Sequence, residues 1–143
     1  MDLLTGISAT SGALNSQRTR LDIIAQNIAN ARTTRSPDGG PYQRRVVNFE
    51  SELIRSNSSA FGAKDPGLAT VRVAGVTIDP TPGPTFNDPG HPDADAQGMV
   101  TLPNVNLAFE MVDLITASRA YEANLNVAKN SRQMAMRTLE IGK

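Results

Sequence analysis

The chain contains no cysteine and no tryptophan. The first absence excludes disulfides, thiolate nucleophiles and cysteine-based zinc sites. The second, with only two tyrosines and four phenylalanines, removes most of the side chains that dominate compact cores. It favours an elongated protein over a tight, self-sufficient globule. Neither sign of charge is in excess: 14 Lys+Arg balance 14 Asp+Glu. A neutral chain offers no electrostatic case for binding nucleic acid or an anionic membrane. No run approaches the ~18 apolar residues of a membrane span. The opening MDLLTGISATSGAL has neither a basic n-region nor a continuous apolar h-region. If the protein leaves the cytoplasm, a route without a cleaved signal peptide is expected.

Proline and glycine divide what is present into three zones. Residues 1–32 carry no proline. Residues 33–104 hold all nine prolines and eight of the eleven glycines. Residues 105–143 have no proline, and their only glycine is Gly142. Helix-compatible ends therefore flank a loop- and strand-like centre. Within that centre, TVRVAGVTID (Thr70–Asp79) alternates apolar residues with an offset at Gly75, which predicts a hairpin or a bulged strand. Tyr42–Phe49 reads as its partner strand. Ser36–Pro41 and Asn87–Gly90 read as turns, and Ser56–Asp65 as a mobile loop.

Both ends carry a seven-residue beat. Ile7, Leu14, Leu21 and Ile28 form one row, and Leu3, Thr10, Gln17, Ile24 and Ala31 the complementary one. Asp2 is placed to cap this first helix. In the last zone Met111, Leu114, Ser118, Tyr121, Leu125, Ala128, Ala135 and Leu139 form a seam broken at Arg132. Val105, Ala108, Val112 and Ile115 add a second apolar stripe. Asn104 reads as the cap of a helix starting at Val105, and Gly142 as its end. At ~1.5 Å per residue the two helices would span ~45 and ~55 Å. Thr10, Gln17, Ser118 and Arg132 interrupt the seams, so a lone two-helix pair would be marginal. The second stripe would also stay exposed. Partners outside the pair would cover both. Asn27, Asn30 and Asn124 are candidate polar contacts between helices or subunits, as amides at seam positions set register. Arg44 and Arg45 read either as a solvated face or as a contact with an acidic partner surface.

Catalytic chemistry finds little support. His91 is the only histidine. With Asp93 and Asp95 it gives at most three metal ligands, without a second His or any Cys, and without the bidentate Glu of a calcium loop. The alternative is a proline-stiffened, solvated turn leading into the last helix. GxGxxG and GxxxxGK[ST] are absent, and no serine sits in a nucleophile elbow. The expectation is a structural assembly subunit, not an enzyme, with no cofactor, no metal site and no small-molecule substrate.

The stretch SGALNSQRTRLDIIAQNIANARTT (Ser11–Thr34) resembles the N-terminal signature of bacterial flagellar rod, hook and hook-associated proteins. PYQRRVVNF (Pro41–Phe49) and FNDPGHPDADAQGMVTLPNVNLAFEMVDLITASRAYEANLNVAKNS (Phe86–Ser131) are similar to the proximal rod branch of that family. Phe86 and Met99 stand where the family pattern has tyrosines. The resemblance implies a mainly α fold with a small β insertion. Residues 1–32 and 105–143 would pair as a coiled-coil-like inner domain, with residues 33–104 as a loop- and β-hairpin-rich outer segment. It implies export through the flagellar type III apparatus without signal cleavage. It also implies polymerisation into the periplasm-spanning rod of the basal body, a tube that transmits torque and forms part of the export channel. Partners would be other copies, other rod proteins and the junction protein between rod and membrane ring. The competing readings are a soluble helical adaptor or export chaperone, and a small metal-dependent enzyme using His91, Asp93 and Asp95.

Overall fold

The computed structural model describes residues 3–37, 39–54 and 68–141. The Asp2 cap, the Ser56–Asp65 loop and the Gly142 helix end lie outside the described residues. Helix α1 (Leu3–Ala29) is followed by strands β1 (Arg45–Ile54), β2 (Leu68–Ile78), β3 (Thr85–Asn87) and β4 (Met99–Thr101), and by helix α2 (Leu107–Ile141). The chain is thus mainly helical, with small antiparallel sheets between two long helices. At 27 and 35 residues the helices run about 40 and 52 Å. Asn27 meets Glu110 and Arg20 meets Asp113, so the two helices run in opposite directions.

α2 begins two residues later than its sequence predicts. Asn106, not Asn104, caps it: its side-chain oxygen accepts from the amides of Ala108 and Phe109 at 3.0 and 3.3 Å. That satisfies donors a helix start leaves unpaired. Asn104 is occupied elsewhere. Its oxygen accepts from the Arg44 amide at 2.7 Å and its amide nitrogen donates to the Asp79 carbonyl at 3.1 Å. It ties the segment before α2 to the start of β1 and the end of β2.

β1 and β2 form a long two-stranded ribbon, pairing Arg45 with Ile78 and Ile54 with Leu68. The expected offset is a bulge between Asn48 and Phe49, where Asn48 faces Gly75 and Phe49 faces Val73. The ribbon packs on α1, and the helix face it meets carries small residues. Ala9, Gly12, Ser16 and Thr19 repeat at steps of three and four. Ser16 donates to the Val71 carbonyl at 3.1 Å and Thr70 to the Ala9 carbonyl at 3.4 Å. A Cβ at Gly12 would stand 2.5 Å from Thr70 Oγ1. Only a bare Cα admits the strand this closely.

β3 and β4 pair in a second, short sheet that buries Val100 completely. Gly83 lies against its approach: a Cβ there would sit 1.8 Å from the Leu102 carbonyl oxygen. Backbone atoms cannot yield as a flexible side chain does. Gly83→Ala is expected to cost about 3 kcal/mol through overpacking, read as a lower urea midpoint by circular dichroism.

The buried apolar core is small. Among the described residues only Ile23, Ile24, Val100 and Ala117 are buried hydrophobics.

Candidate assembly interface

Three chain segments meet at one buried polar cluster. Asn27 (1% exposed) comes from α1, Glu110 (1% exposed) from α2, and Arg44 and Arg45 from the start of β1. The Asn27 amide nitrogen donates to the Arg45 carbonyl at 2.9 Å and to Glu110 Oε2 at 3.1 Å. Its oxygen accepts from the Arg45 amide at 3.0 Å and from the Tyr42 hydroxyl at 2.9 Å. An asparagine side chain has two donors and two principal acceptor sites, and all are used. Toward Arg45 it acts as a one-residue strand, pairing both backbone groups on the edge of β1 that faces away from β2.

Glu110 receives Arg44 Nε at 2.6 Å on its other oxygen. Burying a carboxylate costs several kcal/mol unless it is paired and hydrogen-bonded, and here both oxygens are. Arg44 also approaches Asp113 at 3.7 Å, and Arg20 reaches Asp113 at 3.5 Å. Burial pushes the Tyr42 hydroxyl above its ordinary pKa, with Arg45 opposing the shift. The sequence places Asn27 and Arg44 among candidate contacts between subunits. In the structure their polar groups are spent within the chain. Asn30 likewise donates to the Gln26 carbonyl and accepts from Thr33. Arg45 lies over the Tyr42 ring, 6.0 Å from its centroid.

The predicted helix seams divide. On α1, Ile24 is buried, Leu14, Leu21 and Ile28 are half-buried, and Ile7 is exposed. The Leu3 side chain lies outside the described residues. Ile23, absent from the predicted seam, is buried because α1 also faces the ribbon. On α2 one row of less exposed residues is Glu110, Leu114, Ala117, Tyr121, Asn124, Ala128, Ser131 and Ala135, at alternating steps of four and three. Leu114, Tyr121, Ala128 and Ala135 match the predicted seam. Of the remaining seam residues, Met111 and Leu139 are exposed and Ser118 is half-buried. Leu125 is half-buried beside Asn124. Glu110 and Asn124 belong to the less exposed row although they are polar, so apolar character alone does not register them.

What α2 does not bury is as telling. Leu107, Met111, Val112 and Ile115 are exposed on its first half, and Phe109 is 70% exposed on another flank. Met134, Met136 and Leu139 are exposed near its end. One acceptor inside is also unmet: Gln17 Oε1 is buried without a hydrogen-bond partner. The chain presents 10573 Å² of accessible surface, where a compact monomer of its mass presents about 7,100 Å².

The segment with the lone histidine is a folded turn. Asp95 accepts from the amides of Gln97 and Met99, Asp88 from Gly90, and His91 Nδ1 from Asp93. Asp93 takes the Thr34 hydroxyl at 2.8 Å and Arg35 at 3.3 Å, docking the turn on the stretch after α1. Gly98 (φ +76°) closes it, and a Cβ there would meet Pro89 at 2.9 Å. Among the described residues no three metal-ligating side chains converge. His91→Ala removes one local bond and an edge contact with Phe86. It is expected to shift the urea midpoint by less than about 1 kcal/mol in equivalent stability.

Residues 3–35 match the family described as "Flagella basal body rod protein". Residues 96–141 match "Flagellar basal body rod FlgEFG protein C-terminal". The chain is 43% identical to a flagellar basal-body rod protein FlgC of Borreliella burgdorferi, over 99% of this chain and 98% of that one. It is 38% identical to that of Salmonella typhimurium, over 99% of each. It is 35% identical to that of Bacillus subtilis, over the full length of both.

Proposed function

The chain belongs to the FlgC family of flagellar basal-body rod proteins, and from that premise we propose that its paired helices form the shared wall of the rod. It is a structural subunit of the bacterial flagellar basal-body rod, in a family of structural proteins rather than enzymes. Residues 1–32 and 105–143 serve as a coiled-coil-like inner domain. Residues 33–104 serve as a smaller outer piece anchored on α1. Copies join through the exposed apolar faces into a helical tube that carries torque and encloses part of the export path. Other rod components are its neighbours. The subunit reaches the rod through the flagellar type III apparatus and meets the rod-to-ring junction protein there.

The observation that carries this reading is the excess of surface over core. About 3,500 Å² beyond the compact-monomer value is enough for several contacts, each hiding about 800 Å² per partner. The excess includes α2 faces that are apolar and unpaired in the single chain. A tube that repeats one contact along a screw axis buries the same two faces of every copy.

The test is order before and after assembly. The purified chain should show fast amide exchange at the ends of α1 and α2, beyond the segments that the Asn27–Glu110 cluster holds. Intact basal bodies should show protection of the same amides. Strong protection of both helices in a monodisperse monomer would instead describe a self-contained helical adaptor.

A further inference from the structure

We propose that the open groove between α1 and β2 receives the outward apolar stripe of α2 from a second copy of this chain. The inference rests on the rod-subunit reading and names one of its contacts. The groove encloses about 570 Å³. One wall is α1, with Ser8, Gly12 and Asn15; the other is the ribbon, with Leu53, Val71 and Val73 beside the charged Glu52 and Arg72. Leu53 and Val71 are 64% and 44% exposed, so the apolar wall is uncovered in the single chain.

The stripe is complementary in chemistry and in length. Leu107, Met111 and Ile115 recur every fourth residue and are all exposed. Side chains four apart lie on one helix face. From Leu107 to Ile115 the helix rises about 12 Å, and from Ser8 to Asn15 about 10 Å. Large apolar side chains on one helix would face small residues on the other, with β-branched residues as the floor. This is helix-in-groove recognition, read through anchors one turn apart. The chain's own α2 cannot fill the groove, because it already packs on α1 with Glu110 and Ala117 buried. Both halves of the contact sit on one chain in different places. The contact is therefore heterologous and propagates rather than closing on itself. It would consume part of the surplus surface, which no contact within the chain hides.

The absence of native cysteine makes the test clean. Asn15→Cys and Ile115→Cys are both at exposed positions. They would be introduced on separately tagged copies, co-expressed in cells lacking the native copy, and oxidised in purified basal bodies. Ser8→Cys with Met111→Cys forms a second pair. The expected result is a covalent dimer carrying both tags, at least ten-fold above either single variant alone, for at least one pair. Basal bodies that contain both variants yet yield no mixed dimer from either pair would overturn the groove contact and leave the rod reading intact. A cross-link from the groove cysteine to a different protein would overturn the choice of a second copy. Absence of even the cysteine-free parent from basal bodies would overturn the rod reading itself, and this inference with it.

Discussion

Glu110→Ala is expected to cost about 3 kcal/mol and to remove much of the chain's stability. The substitution strips the acceptors from Arg44 Nε and from the Asn27 amide, both now bonded to Glu110. Asn27 is buried and has no water to turn to. Arg44 is better placed, since it is partly exposed and close to Asp113, which holds the estimate at the low end for a broken buried pair. Small domains have about 5–15 kcal/mol in total, and this one buries few apolar residues. Urea denaturation followed by circular dichroism should show the midpoint collapse, and cells carrying the variant should not swim. Glu110→Gln retains an acceptor for Arg44 and should lose roughly half as much by the same scale. An unchanged midpoint for the alanine variant would mean that the cluster does not hold the helices and ribbon together.

Ile115→Asp should do the opposite: spare the fold and abolish the assembly. Ile115 is 54% exposed, so the charge stays hydrated in the free chain and the urea midpoint should move by no more than about 0.5 kcal/mol in equivalent stability. In the rod the same carboxylate would be desolvated without a partner, at several kcal/mol for every copy. Swimming should be lost and the chain should be missing from purified basal bodies. Normal swimming would remove this face of α2 from the interface. Leu125→Asp and Ile28→Asp lack this discrimination. Both residues are half-buried, so their variants would damage the fold and the assembly together.

The helical ends were legible because apolar residues recur at helical spacing and proline is confined between them. The ribbon was legible for a similar reason: Val71, Val73, Val76 and Ile78 alternate, and Gly75 marks the bulge. Apolar periodicity is silent where burial is polar. Asn27 reads as a polar contact between helices or subunits and Glu110 carries no signal of its own, yet both are among the most buried side chains, because each finds its partners in another segment. No local pattern records a partner 83 residues away. The small-residue face of α1 was hidden too. Ala9, Gly12, Ser16 and Thr19 look unremarkable until a strand lies on them. The Asn104 error has the same root. Asn104 and Asn106 are both good caps by type, and only the strand ends claiming Asn104 decide between them.

The Asn27–Glu110 bond also bears on the order in which the protein comes into being. A ribosome makes Asn27 long before Glu110, and the arginines that complete the cluster lie between them in sequence. Tyr42 and Arg45 can bond Asn27 soon after they are made, but Glu110 arrives only in the last third of the chain. Until then α1 has the ribbon to pack on and no second helix. Closing the loop to Glu110 costs chain entropy that only the finished contact offsets. The antiparallel helix pair therefore waits on Glu110: a chain cut short before it can keep the ribbon on α1 but cannot close the cluster.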